Sequence, residues 1–444
     1  MKTTAWPHVV TVALALFPGL VCADQSEGDH PVAHALRTIA RPLDGPDGLP
    51  TLVQQLAGSR LVMLGEASHG TSEFYTLRDQ ITRRLVEDHG FRFVAVEGDW
   101  NAIYRLNRYV KGPADAGASA RTIMQTFTRW PQWMWANEET LALVEWLRAW
   151  NAGRPPAERA GFYGIDVYGH EDALRKLPGS IAGSDEDRAA RVGEHIACLL
   201  PFAADLGEYA RAAHWGMASC TEAAKAIVDT LRENREAWDI AADEYLHLKQ
   251  MAYVIQHAER HYRAMARGGA DSWNARVDHF FHTVERLMAH YGDDARGIVW
   301  AHNTHIGDAR ATPMAGAGQR NIGQMARDRW GRDQVAAVGF ATHRGEVLAG
   351  RAWGGEREPM IVPSAGPGTL EDFLAQMGLG DAWLDLRNAP EVLGGPVGHR
   401  AIGVIYHPEH EFPGNYVPTI LSLRYDALIF VEVTRTLQFL PTGE

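Results

Sequence analysis

Residues 61–70 read Leu-Val-Met-Leu-Gly-Glu-Ala-Ser-His-Gly, so that four apolar residues lead directly into a glycine, a glutamate and a histidine. An apolar run without polar alternation is typical of a strand that is buried on both faces of a parallel sheet. In an open parallel sheet, ligands bind beyond the carboxyl ends of the strands. The stretch therefore predicts an α/β fold and, directly after the strand, a place for a functional site.

The same kind of apolar run recurs along the chain and predicts further strands of one sheet. Amphipathic segments, such as residues 76–88 and 138–150, separate many of these runs. Strands that alternate with helices indicate a mostly parallel sheet flanked by helices. The further runs lie at residues 93–96, 162–165, 298–301, 335–338 and 428–431.

One long segment, at about residues 171–294, breaks this alternation. It has a helical period, is rich in Ala, Glu, Arg and His, and contains no convincing strand. We expect a long helical insertion folded over the sheet. Before the first strand, residues 24–50 hold several Pro, Gly and Asp residues and predict an irregular arm with one short helix near residues 32–40.

The composition of the 444 residues is that of an ordinary globular protein, with 46% hydrophobic and 22% charged residues. The net charge is -12, from 43 basic and 55 acidic residues. No block of Lys and Arg stands out, whereas binding to a nucleic-acid backbone needs a basic face. We expect a small-molecule partner and no nucleic acid, and the sequence leaves the oligomeric state open.

The first residues have the composition of a cleavable secretory signal. Lys2 precedes an apolar run at residues 9–17, and small residues up to Ala23 precede a polar segment. The run is too short for a membrane span, and no later segment has the character of one. We expect residues 1–23 to be removed and residues 24–444 to form one domain that is periplasmic or secreted.

Removal of the signal would leave two cysteines, Cys198 and Cys220. In an oxidising compartment they can form a disulfide that closes a modest loop. Two small buried thiols are the alternative, and the sequence leaves both open.

Residues able to do acid–base chemistry follow four of the predicted strands. Taken singly, each of them suits a helix cap or a solvated loop. Together they are unlike a surface distribution, and charged groups are seldom buried without partners because their desolvation is expensive. The strand ends carry Glu66 and His69, then Glu97, then Asp166, and finally His302 and His305. We expect these side chains to form one site.

His69 is the natural general base of such a site. The ordinary pKa of an imidazole lies near neutrality, so His69 can take a proton from water and return it to a leaving group. A neighbouring carboxylate, Glu66 or Glu97, would fix the tautomer of the ring. Gly65 and Gly70 allow the backbone to turn sharply and to approach a ligand.

Arg78 takes a position where the pattern calls for an apolar residue. With Phe74, Ile81 and Leu85 it forms one face of the helix that follows His69. One interpretation is that the side chain reaches past the core to solvent. The other is a buried guanidinium that pairs with a carboxylate of the site or binds a developing oxyanion.

Several other patterns are weaker. The first strand end resembles the serine-hydrolase motif G-x-S-x-G but has one residue too many before Ser68, and the true motif does not occur in the chain. Two histidine pairs at helical spacing are interpreted as ordinary helix residues rather than metal ligands, and three tryptophans suit either an apolar groove or the core. These are His257 and His261, His279 and His282, and Trp130, Trp133 and Trp135.

At the residues that carry the chemistry, the sequence resembles the erythromycin esterase family. The order and spacing of the matching motifs agree over roughly residues 50–435, nearly the whole mature chain. The motifs are LGEASHG at residues 64–70, VEGDW at 96–100, YGID at 163–166, WAHNTH at 300–305, NIGQM at 321–325, RAIGVIY at 400–406 and RYDAL at 424–428.

The resemblance implies a hydrolase that opens a macrolide lactone with an activated water, without a covalent intermediate, a metal or another cofactor. It implies His69 as general base and Glu66 as its companion. The remaining catalytic residues, which would position the water and stabilise the oxyanion, are Arg78, Glu97, His302 and His305, and the substrate-binding residues are Asp166 and Arg276. The chain departs from the family where Val277 follows Arg276 and at Gly98-Asp99, in regions that can face the substrate.

Two other functions fit the same residues. Three His and two Glu are a credible ligand shell for Zn or Mn in a metal-dependent hydrolase of an envelope ester. The charge of Arg78 argues against a dication there. A non-enzymatic periplasmic binding protein is the second alternative, although a binder has little need for a base poised near neutrality.

Overall fold

The computed structural model describes residues 31–45, 48–112 and 119–441. Strands and helices are each numbered along the chain. The strands are β1 (Ala40–Pro42), β2 (Leu61–Leu64), β3 (Phe93–Asp99), β4 (Gly161–Asp166), β5 (Gly297–Trp300), β6 (Val335–Gly350), β7 (Arg357–Val362), β8 (Ala382–Asp385), β9 (Val397–Arg400), β10 (Tyr416–Thr419) and β11 (Ala427–Thr434).

Helices cover both faces of the sheet that these strands form. The helices before the insertion are α1 (Pro31–Ile39), α2 (Leu49–Leu56), α3 (Ser72–His89), α4 (Trp100–Lys111), α5 (Ala120–Met124) and α6 (Glu138–Asn151). The insertion holds α7 (His170–Ala182), α8 (Glu186–Ile196), α9 (Leu206–His214), α10 (Thr221–Arg232), α11 (Ala242–Met265) and α12 (Asp271–Tyr291). After it come α13 (Asn303–Ile306), α14 (Ile322–Trp330), α15 (Leu370–Gln376), α16 (Glu411–Gly414) and α17 (Leu421–Arg424).

The main sheet has the strand order β1-β8-β11-β6-β2-β5-β3-β4, and β7 pairs with β6. The six adjacent strands β11, β6, β2, β5, β3 and β4 run parallel to one another. In contrast, β1, β7 and β8 are antiparallel to the strands they pair with. The predicted α/β fold with a mostly parallel sheet is therefore confirmed. All six predicted strands are present, and β6 is much longer than predicted because its second half forms a hairpin with β7.

Alternate residues of the central strands face two separate cores. On β2, Leu61 and Met63 pack on the side of the helical insertion, and Val62 and Leu64 pack on the side of α3 and α6. All four β2 side chains are buried. Because both faces are covered, the strand has no position for a polar side chain before its carboxyl end.

The insertion is helical from α7 to α12, as predicted. Its longest helices, α11 and α12, pack against each other, and α12 also contacts β4. Cys198 and Cys220 are joined by a disulfide that connects the end of α8 with the start of α10, so the disulfide alternative is the one observed.

The sequence patterns did not predict five of the strands. β1 and β8 are short antiparallel strands at one edge of the sheet, β7 is the outer half of a hairpin, and β9 and β10 form a separate two-stranded sheet. β1, β7, β9 and β10 have exposed or half-buried positions and lack the continuous apolar run that marks the central strands, whereas β8 is buried but has only three apolar residues. Their absence from the prediction follows from that difference.

None of the helices in the described part of the chain combines the length and apolar character of a membrane span. The predicted signal at residues 1–23 lies outside the described residues.

Candidate active site

The register of the sheet brings the predicted strand ends to one level. Leu64 of β2 pairs with Trp300 of β5 and with Val338 of β6, and Val96 of β3 also pairs with Trp300. The residues that follow β2 and β5, and Glu97 on β3, therefore lie together at the carboxyl ends of the parallel strands. This register is the structural reason why residues far apart in the chain meet.

Glu66 connects a histidine with an arginine. Its Oε1 lies 2.8 Å from His69 Nδ1, and its Oε2 accepts a hydrogen bond of 2.8 Å from Arg78 Nη2. Glu66 is fully buried, whereas His69 retains 8% of its surface exposed. Of the two carboxylates that the sequence offered as the companion of His69, Glu66 is the one that bonds its ring.

Arg78 is fully buried, and the interpretation that it reaches solvent is wrong. Its guanidinium carbon lies 4.2 Å from the centre of the Tyr75 ring and 4.6 Å from that of Trp300. A guanidinium is weakly hydrated and stacks on aromatic faces, so these rings make its burial beside Glu66 tolerable. The side chain is closed off from solvent, and its hydrogen bond to Glu66 connects it with the candidate site.

Glu97 is the second buried carboxylate of the site. Its Oε1 lies 3.2 Å from His305 Nε2 and 3.0 Å from Arg276 Nη2. Its Oε2 accepts a 2.9 Å hydrogen bond from the backbone N–H of His302. Glu97 thus holds together β3, the segment after β5 and helix α12.

Arg276 is supplied to the site by the insertion. It donates from Nε and Nη2 to the two oxygens of Asp166, at 3.0 and 2.6 Å, and its side chain is 19% exposed. The two residues predicted to bind substrate are therefore bonded to each other, and Arg276 is the more exposed of the two.

His302 and His305 differ in their surroundings. The ring centres of His302 and His69 are 4.8 Å apart, so His302 joins the Glu66 and Glu97 groups. Nδ1 of His302 accepts a hydrogen bond from the backbone N–H of Thr304, and the backbone of Ala67 also acts on the ring. The His305 ring stacks on Trp273 at 4.8 Å, with 7° between the ring planes.

The charges of the site move the pKa values of its histidines in opposite directions. Burial alone would lower the pKa of His69, but the hydrogen bond and charge of Glu66 and the charge of Glu97 outweigh burial and raise it. Burial and the neighbouring His69 hold the pKa of His302 well below its ordinary value. His69 is thus the ring suited to hold a proton, and His302 the ring that stays neutral.

Burial would raise the pKa of Glu97, but the His305 and His69 imidazoles and the Arg276 guanidinium hold it well below its ordinary value. Arg276 itself has a raised pKa because the Asp166 and Glu97 charges outweigh its burial. Glu97 and Arg276 therefore form a fixed ion pair rather than a source of protons.

The glycines beside Glu66 and His69 serve the packing of the protein rather than the approach of a ligand. A Cβ on Gly65 would lie 2.1 Å from the side-chain oxygen of Asn303, and one on Gly70 would lie 1.9 Å from the carbonyl oxygen of Leu348. Any side chain would break these contacts.

The weaker candidates lie elsewhere. The Ser68 hydroxyl pairs with that of Thr71 and not with His69. Trp133 and Trp135 belong to the core, and Trp130 is partly exposed. His257 and His279 bond each other between α11 and α12.

The described residues do not fit a dication site. No group of three or more His, Cys, Asp and Glu side chains in residues 31–45, 48–112 and 119–441 is arranged to hold a metal ion. Arginine guanidinium groups instead bind both carboxylates of the site.

Two polar contacts, one half-buried and one fully buried, were not predicted. Asp99, in the position where the sequence departs from the family motif, pairs with Arg129, with 2.6 Å between Oδ1 and Nη2. Glu371 bonds His399 at 2.6 Å between Oε1 and Nδ1. Glu371 could have been found in the sequence by the same feature as Arg78, because it is a charged residue within the apolar face of a helix, α15.

The family assignment rests on a match along most of the chain. The model of the erythromycin esterase family matches residues 86–434. The chain belongs to the erythromycin esterase family. Its sequence is 29% identical to an erythromycin esterase type II from Escherichia coli over 126 residues, a stretch that spans only 28% of this chain and 28% of that relative.

Solved structures agree with the fold of this family member along nearly its whole length. A Bacillus cereus protein has a TM-score of 0.75 at 23% identity, over 92% of this chain and 98% of its own. A succinoglycan biosynthesis protein has a TM-score of 0.71 at 19% identity, over 92% and 97%. A mutant of the erythromycin esterase EreC in its open conformation has a TM-score of 0.63 at 17% identity, over 89% and 95%.

Proposed function

We propose that this member of the erythromycin esterase family is a hydrolase that cleaves a carboxylic ester or macrolide lactone with a water molecule activated by His69. The observation that carries the proposal is the 2.8 Å contact between His69 Nδ1 and Glu66 Oε1. Because a carboxylate only accepts, Nδ1 carries the proton and Nε2 of the neutral ring is left as the base. This is the arrangement that general-base catalysis needs.

The reaction balances without a covalent intermediate. His69 Nε2 takes a proton from water while the water oxygen bonds to the ester carbonyl carbon. When the tetrahedral intermediate collapses, the bond to the alkoxy oxygen breaks and the imidazolium returns the proton to it. The products are a carboxylic acid and an alcohol, which in a lactone remain parts of one opened chain. The Ser68 hydroxyl, bonded to Thr71, takes no part.

His302 supplies the donor that suits the developing oxyanion. Its Nδ1 accepts from Thr304, so the proton of the neutral ring sits on Nε2, and the backbone of Ala67 also acts on this ring. A preorganised donor of this kind stabilises charge that appears only in the transition state. Arg276, partly exposed beside Glu97, adds a positive charge to the same edge.

Arg78 acts as a positioning residue. It fixes Glu66 Oε2 from within the core, which leaves Oε1 to orient His69. The buried charges of Glu66 and Arg78 thereby fix the orientation of the general base.

Mass spectrometry of erythromycin incubated with the purified protein tests this function. We expect a product heavier by one water, and no product from the His69→Ala variant. Protein quenched during turnover should have an unmodified intact mass. An acylated protein would contradict the direct attack of water, and absence of any product would contradict the macrolide substrate.

We also propose that the chain is exported after cleavage behind Ala23. The Cys198–Cys220 disulfide supports this, because disulfides persist in oxidising compartments. N-terminal sequencing of protein recovered from the periplasm or medium should begin at Asp24. Recovery of the full-length chain from the cytosol alone would contradict the proposal.

A further inference from the structure

Three aromatic side chains outside the catalytic group meet at one place, although they come from distant parts of the chain. Trp353 lies in the turn between β6 and β7, Trp130 precedes α6, and Tyr168 follows β4. The ring centres of Trp130 and Trp353 are 4.8 Å apart, and those of Trp353 and Tyr168 are 6.3 Å apart. They form a continuous aromatic surface, here called the aromatic wall.

The aromatic wall begins at the active site. Arg276, which bonds Glu97 at 3.0 Å, also lies over the Tyr168 ring at 5.1 Å. From there the contacts continue outward through Trp353 to Trp130. The wall is thus reached from the catalytic carboxylate through a single side chain.

Two arginines lie against Tyr168, and each is paired with a carboxylate. Arg129 lies 5.0 Å from the ring centre and bonds Asp99, and Arg276 bonds Asp166. Their charges are therefore compensated, and the wall favours an uncharged occupant. Since the Tyr168 ring is already in contact with both guanidinium groups, the accessible aromatic surface is that of the two tryptophans.

The two tryptophans are held in place and yet remain partly open. Trp130 Nε1 donates a 3.0 Å hydrogen bond to the carbonyl of Gly355, which fixes the turn that carries Trp353. Trp353 is nevertheless 47% exposed. A large apolar ring kept in place and exposed beside a catalytic group offers contact area at little cost in conformational entropy.

We propose that the aromatic wall is a substrate subsite that binds the apolar ring face of a bulky ester or lactone whose carbonyl lies at His69. The proposal rests on the proposed hydrolase function. Contacts remote from the reacting bond orient the carbonyl for attack, so the wall would separate large-ring substrates from small esters. Trp353 is the specificity-determining residue of this subsite.

The test compares erythromycin with a small ester, 4-nitrophenyl acetate, in the full-length protein. We expect Trp353→Ala to lower the ratio of kcat/KM for erythromycin to that for the small ester at least about tenfold. Trp353→Phe, which keeps a ring, should restore most of the ratio. Trp215→Ala is the matched control, because Trp215 is 74% exposed on the insertion and should leave the ratio unchanged.

A binding measurement separates failure of the subsite from failure of the hydrolase function. The affinity of erythromycin is measured by calorimetry in the His69→Ala background, with and without Trp353→Ala. A Kd at least about tenfold weaker in the double variant supports the subsite even where no turnover is found. Equal affinities, or no binding to His69→Ala, would overturn the subsite, and turnover by the wild type would still stand as support for the hydrolase.

Discussion

Two buried histidine–glutamate pairs have nearly the same geometry and opposite properties. His69 Nδ1 lies 2.8 Å from Glu66 Oε1, and His399 Nδ1 lies 2.6 Å from Glu371 Oε1. Burial would lower the pKa of both rings. The pKa of His69 is nevertheless raised, whereas that of His399 is lowered. A carboxylate bonded to Nδ1 is therefore not sufficient to make a base that holds a proton.

The charges around each pair account for the difference. A second carboxylate, Glu97, acts on His69 in addition to Glu66 and outweighs the Arg276 guanidinium, which lowers the pKa of the ring. His399 has one carboxylate, and the guanidinium groups of Arg424 and Arg400 work against its protonation. The net charge beyond the pair decides which way the pKa moves.

The two rings also differ in what their second nitrogen can reach. His399 Nε2 is 3.3 Å from the side-chain nitrogen of Asn303, which in turn bonds the backbone of Phe340 on β6. His399 is 1% exposed and holds the loop after β5 in place. His69 instead lies beyond the carboxyl end of β2 and keeps 8% of its surface exposed to solvent. We assign a chemical role to the first pair and a structural role to the second, and this division can be tested.

The largest expected effect is that of removing the base. His69→Ala should lower kcat at least about 10²-fold, or about 2.7 kcal/mol, while the variant still unfolds in one cooperative transition. Steady-state kinetics and thermal unfolding check both parts. His282→Ala is the matched control, because His282 makes the same kind of contact with Glu285 on the surface and should change neither. A loss below about threefold would remove His69 from the mechanism.

Breaking the second pair should cost stability. His399→Gln deprives the buried Glu371 of its bond to the ring, and we expect the free energy of unfolding to fall by about 2 kcal/mol. Denaturant unfolding measures this loss. If His399→Gln instead left stability unchanged and lowered kcat per folded molecule as strongly as His69→Ala, the division between the pairs would be wrong.

We expect an intermediate effect on catalysis from a change at Arg78, which bonds Glu66 on the side away from His69. Arg78→Lys keeps the charge but loses the planar group between Tyr75 and Trp300, so Glu66 is held less firmly. We expect kcat/KM to fall about tenfold, and conservative replacement at Glu66 by Asp should lower it further. Wild-type kinetics in the Arg78→Lys variant would show that the guanidinium serves packing alone.

The pH dependence of turnover should follow the raised pKa of His69. The base must be neutral to act, so kcat/KM falls as the pH falls through this pKa, and the acid limb should lie above the ordinary histidine value of about 6.5. Glu66→Gln removes a negative charge and should move the limb to lower pH. A limb that stays in place in Glu66→Gln would contradict the assigned cause.

The smallest effects are those of pH on stability, and they have opposite signs for the two histidines. The contribution of His69 is complete below about pH 6.5 and is lost as the pH rises through its raised folded pKa. The contribution of His399 is present above about pH 6.5 and is lost as the pH falls through its lowered folded pKa. Relative to the wild type, the free energy of unfolding of His69→Gln should therefore be lowest at acidic pH, whereas that of His399→Gln should be lowest at alkaline pH. Parallel stability curves would contradict the comparison.

Glu66 and His69 could be recognised from sequence as members of one candidate site, because that depends on local features. The apolar run of β2 and the residues after it are adjacent in the chain, and the register that aligns β2 with β5 follows from the parallel sheet. Arg78 could be recognised as unusual because it interrupts one helical face. For these residues, the type and spacing of nearby residues in the sequence are enough to predict their position.

The rest of the site depends on contacts between distant segments. Arg276 is separated by 179 positions from Glu97 and by 110 from Asp166, and no periodic pattern connects them. His399 and Glu371 lie on short elements that lack the long apolar runs of the central strands. Which carboxylate would bond His69 could not be chosen either, since Glu66 and Glu97 both follow buried strands.

The position of β5 has a consequence for how the chain folds as it is made. β2 and β3 are consecutive in the chain, yet β5 lies between them in the sheet. The whole insertion is synthesised before β5, so in the growing chain these two strands face a gap with unsatisfied backbone groups on either side. Such edges are templates for wrong pairing, and late long-range closure is slow. A chain shortened ahead of β5 would therefore be prone to aggregation rather than a smaller folded protein.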